Sequence, residues 1–177
     1  ITKRRPAAID YIRRHKLNET FGGNGPVGIV MQGGMYNGVI RALQRLGLAD
    51  AYGDTEVPLH VLNVTYPLVE DELVGFCADK EAVLVVEEGH PDYLEQELGS
   101  MLYKAGASVK LEGKGLLPMA GEYTGQVMLD GIGAFMRKYD ADMLAPEIRA
   151  PNVPAPPIYD DLAKTVPARP PGFCVGC

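Results

Sequence analysis

The sequence predicts a three-layer α/β/α domain with an open, mostly parallel sheet, followed by an extended proline-rich tail. Up to about residue 139, segments whose apolar residues have helical spacing alternate with short apolar runs. The clearest run, residues 82–86, holds five consecutive apolar residues, as is typical of a strand covered on both faces in a parallel sheet. Strands that alternate with helices place the helices on both faces of such a sheet.

Turn residues separate the predicted elements. Gly47 and Gly106 each follow a helical pattern and are typical of the residue just past a helix C-terminus. The predicted strands cover residues 27–31, 59–64, 82–86 and 107–111, of which the last is more polar and is expected near an edge of the sheet. The predicted helices cover about residues 4–18, 35–46, 69–76, 94–102 and 122–139.

The first predicted helix is strongly basic. Residues 3–16 contain six of the 17 Lys and Arg residues in the chain. A solvated helix face explains this charge, and so does a surface that docks onto an acidic part of a larger protein.

Beyond residue 140 the composition changes. Residues 146–171 hold eight of the 14 prolines, and proline removes a backbone donor and disfavours helix at the preceding residue. We therefore divide the chain into an α/β domain at residues 1–140 and a largely extended linker at residues 141–177 that leads to a next domain. Because the chain starts at Ile1 and stops at the second cysteine of a C-x-x-C motif, we expect a piece of a longer protein.

The composition excludes several classes of protein. The formal net charge of −6 and the pI of about 5.1 argue against a chain that generally binds nucleic acid or membrane surfaces. No apolar run approaches the roughly 18–20 residues of a membrane span. Three cysteines in 177 residues do not form a disulfide framework, which favours a cytoplasmic location.

Three predicted strands end in distinctive residues, at positions 32–34, 65–67 and 87–90. In an open parallel sheet, the carboxyl ends of the strands lie on one rim, and ligands bind there. The candidate cofactor-binding residues on this rim are Gln32, Gly33, Gly34, Asn37, Thr65 and Glu87.

The glycine-rich turn and the glutamates also have purely structural explanations. Gly33, Gly34 and Asn37 place backbone amides where a helix begins, which suits an anion, but glycines also permit a tight strand-to-helix turn. Their spacing, GGxxxG, is not the dinucleotide fingerprint, and a Walker A lysine is missing. Glu87 and Glu88 are expected to point to opposite sides of the strand, so that only one faces the crevice. That carboxylate would bind a ribose or orient a partner residue, unless it is simply solvated.

The histidines and Cys77 do not form a catalytic set. His15, His60 and His90 lack the spacing of a metal site, and His90 alone lies at a strand end. Cys77 lies on an apolar helix face and is expected to be a buried, inert thiol. Because the sequence contains no nucleophile signature, we assign no catalytic residue.

Cys174 and Cys177 have the spacing at which two thiolates share one metal ion or cluster. A four-cysteine site needs two more ligands, and only Cys77 remains. The pair is therefore either redox-active or completed by ligands further along a longer protein. The proline-rich residues 169–173 before it favour the second explanation.

Four motifs in this order resemble the indolepyruvate ferredoxin oxidoreductases, and most closely their long, fused bacterial type. The motifs are MYNGVIRAL at 35–43, LNVTYPL at 62–68, VVEEG at 85–89 and RPPGFCVGC at 169–177. Each motif alone is moderately specific to this family. Their order along nearly the whole chain is more specific.

The resemblance implies a parent enzyme that oxidatively decarboxylates an aryl 2-oxo acid to an acyl-CoA and passes electrons to ferredoxin. Its cofactors would be thiamine diphosphate with Mg²⁺, iron–sulfur clusters and coenzyme A. The piece would be the middle domain, similar to the C-terminal domain of transketolase, and Cys174 and Cys177 would be metal ligands only in the full-length parent. Val175 replaces the proline of the family's motif.

The resemblance also implies that this chain lacks a complete active site, since it has no GDG-type metal–diphosphate motif and no ferredoxin-like cysteine run. We expect an inactive structural and assembly domain with no cofactor bound, whose rim contacts coenzyme A or a neighbouring subunit. Its partners would be the other domains of the parent or a second copy. The alternatives are a free-standing Rossmann- or flavodoxin-like small-molecule-binding domain, and a zinc-binding or redox-active C-x-x-C protein.

Overall fold

A five-stranded sheet forms the middle layer of the computed structural model, which describes residues 1–149. Its spatial order is β1-β3-β2-β4-β5; β1 pairs antiparallel with β3, and all the other pairs are parallel. The strands are β1 (Glu19–Phe21), β2 (Val27–Gln32), β3 (Leu59–Leu62), β4 (Ala82–Val86) and β5 (Lys110–Glu112). The predicted open, mostly parallel sheet is confirmed, and β5 lies at an edge as expected.

Five α-helices form the two outer layers. They are α1 (Arg4–Arg14), α2 (Tyr36–Arg45), α3 (Glu70–Cys77), α4 (Tyr93–Ala105) and α5 (Gly125–Tyr139). Gly106 ends α4 with a left-handed φ of 68°, the role that its position in the sequence predicts. The first helix ends at Arg14, four residues before the predicted end at residue 18, and the chain turns there towards β1.

The interior strand β4, which lies between β2 and β5, shows why the fold has three layers. All five of its residues are buried, and they alternate between two apolar cores. Leu84 and Val86 pack into a core with α2 and α5, whereas Val83 and Val85 pack into a core with α3 and α4. Side chains alternate across a strand, so a continuous apolar run serves both cores at once.

The edge strand β1 is an element that the sequence analysis missed. Its three residues are all exposed, so the segment lacks the apolar signal of a buried strand. Polar side chains hold the surrounding segment in place: Asn63 Nδ2 donates to the carbonyl of Leu17 at 2.9 Å, and Asn18 Oδ1 accepts from the amide of Val64 at 3.1 Å.

The packing continues beyond residue 140. A short 3-10 turn, Ala141–Met143, follows α5, and the next residue, Leu144, is 1% exposed in the core between α2 and α5. Ile148 packs against the same core. The division of the chain at residue 140 stays a prediction, and the rest of the predicted linker lies outside the described residues. Within residues 1–149, no helix is long and apolar enough to cross a membrane.

Candidate functional site

The carboxyl ends of β2 and β4 lie side by side in the middle of the sheet, where Met31 is in register with Val86. The chain leaves β2 through α2 on one face, and it leaves β4 through α4 on the other. Ligands of open α/β sheets bind at such a switch point, because the two connections diverge and leave a crevice between them. The rim that the sequence predicts is therefore the side of the sheet where the parallel strands have their carboxyl ends.

A groove of about 470 Å³ lies at this rim, between the strand ends, α1 and α4. Three of the six predicted binding residues line it together: Gln32, Thr65 and Glu87. The full lining consists of Arg5, Gln32, Thr65, Tyr66, Leu68, Glu87, Tyr93, Leu94 and Glu97.

Glu87 forms part of the groove and is 5% exposed. The backbone amide of Leu94 donates to both carboxylate oxygens, at 2.9 and 3.1 Å, and the amide of Glu95 donates to one of them at 3.4 Å. These amides belong to the first turn of α4, which has no intrahelical acceptors for them. The buried carboxylate thus caps α4 and fixes the helix against the strand end.

Glu88 points to the opposite side, as the alternation of side chains predicts. Its carboxylate accepts from the amide of Tyr123 at 2.6 Å, while its own amide donates to Gln32 Oε1 at 3.2 Å. Lys114 Nζ donates to the carbonyl of Gly89 and to the hydroxyl of Tyr123, both at 2.8 Å. Hydrogen bonds with Gln32, Lys114 and Tyr123 therefore hold the loop after β4 in place.

The glycine-rich turn after β2 lies apart from this groove. Gly33, Gly34 and Asn37 are not among the residues that line it. A Cβ added at Gly33 would come within 2.7 Å of Asn63 Oδ1, whereas a Cβ at Gly34 would meet open space. The absence of a side chain at Gly33 thus allows β2 and β3 to approach each other closely. Anion binding by the backbone amides of this turn stays a prediction.

Six of the nine lining residues were not among the predicted binding residues: the apolar Leu68 and Leu94, and the polar or aromatic Arg5, Tyr66, Tyr93 and Glu97. Tyr66 lies in the motif at residues 62–68, whose position at a strand end was a usable signal. The sequence contained no signal for Arg5 on α1 or for Tyr93 and Glu97 on α4, because no local pattern shows which helices border a strand end.

The buried reactive groups lie away from the groove. Burial raises the pKa of the Cys77 thiol to about 11, and the side chain is 1% exposed in the core, so its predicted burial is confirmed. Burial also lowers the pKa of His60 to about 4. Within the described part of the chain, no three His, Cys, Asp or Glu residues lie close enough to hold a metal ion. Cys174 and Cys177 lie outside the described residues. The rim therefore presents polar, charged and aromatic side chains, and within the described residues we find no nucleophile with an activating base among them.

No protein-family model matches the chain. A solved structure titled "Split gene transketolase, inactive beta4 tetramer" aligns with a TM-score of 0.46 and 20% sequence identity, over 76% of this chain and 40% of that chain.

Curated proteins provide closer relatives in sequence. "Indolepyruvate oxidoreductase subunit IorA" of Methanothermobacter marburgensis is 31% identical over 155 residues, which is 85% of this chain and 21% of that subunit. The IorA subunits of Methanothermobacter thermautotrophicus and Thermococcus kodakarensis are 31% and 29% identical over 167 and 151 residues. The chain thus spans about a fifth of the length of these relatives. Over that segment, the resemblance to indolepyruvate oxidoreductases that the ordered motifs predict is confirmed.

Proposed function

We propose that the chain is a non-catalytic assembly domain within a longer protein, an oxidoreductase acting on aryl 2-oxo acids. The observation that carries this proposal is the similarity to IorA over 155 residues, a span that is only 21% of that subunit. The parent would decarboxylate an acid such as indolepyruvate oxidatively to an acyl-CoA, with ferredoxin as electron acceptor. Thiamine diphosphate with Mg²⁺, iron–sulfur clusters and coenzyme A would be cofactors of that parent.

The residues present here do not fit a magnesium–diphosphate group. Glu87 and Glu88 are the acidic residues at the end of β4, and backbone amides donate to both carboxylates. Residues 1–149 contain no group of three converging acidic or histidine side chains that would complete a metal site. The diphosphate and its metal would therefore bind in another part of the parent.

The described cysteine does not fit an iron–sulfur cluster either. Cys77 is buried in the core beside α4, and a thiol with a raised pKa resists the deprotonation that cluster ligation requires. Cys174 and Cys177 stay candidate ligands in the longer protein only.

The basic α1 supports an assembly role. Arg13 pairs with Asp71 of α3, and Arg14 pairs with Asp10 at 2.9 Å, so these two charges are satisfied within the domain. Arg4 and Arg5 are exposed and form no ion pair within residues 1–149. Arg4, which does not line the groove, is thus available to an acidic surface of a neighbouring domain.

Calorimetric titration of the 177-residue chain tests the proposal. We expect no oxidation of indolepyruvate and no binding of thiamine diphosphate with Mg²⁺, because the groups that would hold them are absent from the rim. Micromolar binding of thiamine diphosphate, or turnover by the chain alone, would contradict the assembly role.

A second candidate function is that of a free-standing small-molecule-binding domain. The groove at the switch point supports it. A thermal-shift screen with flavin mononucleotide and nicotinamide mononucleotide, neither of which contains adenine, separates the two functions. A ligand at 100 times its Kd adds about 2.7 kcal/mol to the free energy of unfolding. We expect no such shift with either class of redox cofactor.

A further inference from the structure

We propose that the groove flanked by Tyr66 and Tyr93 binds an adenine nucleotide, with the base against the tyrosine rings and a phosphate on Arg5. The inference rests on the proposed function in one respect, since coenzyme A, which ends in an adenine nucleotide, would be its source. The nucleotide-binding chemistry itself follows from the side chains that meet in the groove.

Two large aromatic rings flank the groove and are exposed within the described part of the chain. Tyr66 is 79% exposed and Tyr93 is 70% exposed, although both border a concave surface. They come from different segments, the loop after β3 and the first residue of α4. Exposed aromatic rings at a groove provide stacking platforms for planar bases. Leu68 and Leu94, each 6% exposed, line the same groove and add an apolar surface.

The charges in the groove select the kind of planar ligand. Arg5 and Glu97 both line it, and neither forms an ion pair within the part of the chain that the structure describes. A guanidinium binds a phosphate through two parallel hydrogen bonds. Glu97 accepts hydrogen bonds only and would repel a ligand that carried nothing but negative charge. An adenine nucleotide satisfies both groups, because its exocyclic amine is a donor and its phosphate is an anion.

The remaining polar groups fit a nucleoside. Gln32 uses Oε1 to accept from the amide of Glu88, which directs its amide group across the rim and leaves Nε2 as a donor. Thr65 is exposed beside it and offers a hydroxyl. The amide of Leu94 in α4 donates to both carboxylate oxygens of Glu87. This carboxylate is therefore turned towards the helix and does not face the phosphate as a free anion.

The size and rigidity of the groove also suit a small ligand. Its volume of about 470 Å³ lies within the roughly 300–1,000 Å³ of ligand pockets. Two of its borders are fixed in place, since Glu87 holds the start of α4 and Lys114 holds the loop after β4. When a groove is already formed before binding, less free energy is lost in ordering its side chains and loops, and the ligand binds more tightly.

Calorimetric titration of the chain with ADP and with coenzyme A tests the inference. We expect both to bind, and we expect Tyr93→Ala and Tyr66→Ala each to weaken ADP about tenfold through lost stacking. Tyr103→Ala is the matched control, because Tyr103 lies on the same helix as Tyr93 and is 87% exposed, away from the groove.

The two charged residues have controls of their own. Arg5→Ala should weaken ADP about tenfold and leave adenosine, which lacks a phosphate, almost unchanged. Arg4→Ala is the control, since Arg4 is exposed next to Arg5 and does not line the groove. The wild type should prefer ADP over IDP, which lacks the amine, and Glu97→Ala should abolish that preference. Thermal unfolding of each variant checks that it folds.

The outcomes separate this inference from the proposed function. If coenzyme A and phosphopantetheine bind but ADP does not, the nucleotide site is wrong while the contact with coenzyme A stands. If neither ADP nor coenzyme A binds, the groove is not a ligand site, and the assembly role is judged by the thiamine diphosphate titration alone. Binding that Tyr103→Ala weakens as much as Tyr93→Ala would place any nucleotide elsewhere and overturn the inference.

Discussion

At the scale of single residues, His60 shows how the fold sets a side chain's chemistry. It lies in β3, is 3% exposed, and stands 3.0 Å from Thr20 Oγ1 through Nδ1. Its Nε2 has no hydrogen-bond partner within the described residues, and its ring lies 5.4 Å from that of Phe76. Burial in these surroundings lowers its pKa to about 4, because the imidazolium form loses its hydration.

The lowered pKa of His60 predicts a stability that depends on pH. Between pH 6.5, its ordinary value, and about 4, the unfolded chain binds a proton that the native state excludes. The free energy of unfolding should therefore fall as the pH decreases through this window, by up to about 3 kcal/mol.

Urea unfolding of the wild type and of His60→Phe across this pH range measures the effect. The variant keeps an aromatic ring but cannot titrate, so its stability should change less with pH. His90→Phe, at an exposed position, is the control. Equal pH dependence in the wild type and His60→Phe would show that His60 is not the group responsible.

At the scale of elements, the helix starts differ in how they are capped. Thr124 caps α5 locally, accepting from the amide of Val127 at 3.4 Å. Asp92 precedes α4 but makes no side-chain cap there. The acceptor for α4 is Glu87, which reaches it from the end of β4. A local cap has a sequence pattern, whereas a cap from another element depends on packing.

Replacing these two caps should therefore have unequal costs. Thr124→Ala should lower the free energy of unfolding by about 1 kcal/mol, as at other exposed helix starts. Glu87→Ala should cost more, about 2–3 kcal/mol, because it leaves the buried amide of Leu94 without a partner.

Equilibrium unfolding at neutral pH compares the two variants, and Glu87→Gln serves as a control that keeps one acceptor oxygen. We expect Glu87→Gln to fall between the wild type and Glu87→Ala. A cost for Glu87→Ala no larger than that for Thr124→Ala would mean that this carboxylate does not hold α4.

At the scale of the whole molecule, the two cores show where the folded unit extends. The core with α2 and α5 includes Leu144, and Met143 and Ile148 pack against it. The chain after α5 is thus attached to the domain by apolar contacts. Proline content alone suggests a change of structure near residue 140, but it does not show where the packing stops.

Leu144→Ala tests whether this attachment stabilises the domain. Removal of a fully buried leucine side chain should lower the free energy of unfolding by about 2–4 kcal/mol, since it leaves a cavity in the core. Glu147→Ala, at an exposed position three residues on, should change it by less than about 0.5 kcal/mol. Urea unfolding measures both, and a neutral Leu144→Ala would place the end of the core at α5.

The candidate site is a mixture of what was predictable and what was not. Gln32, Thr65 and Glu87 follow from the rule that parallel strands end on one rim, and the structure brings them to one groove. Arg5 and Glu97 join them from two helices whose placement no local pattern specifies.

The amino-acid sequence was sufficient to predict the alternation of strands and helices, the mostly parallel sheet, the rim and the resemblance to indolepyruvate oxidoreductases. These features depend on periodicity, turn residues and ordered motifs, which are local properties of the chain. The edge strand β1, the cap that Glu87 supplies to α4 and the set of side chains in the groove became visible only in the folded molecule. Each of these joins segments that are distant along the chain, and their meeting depends on how the layers pack.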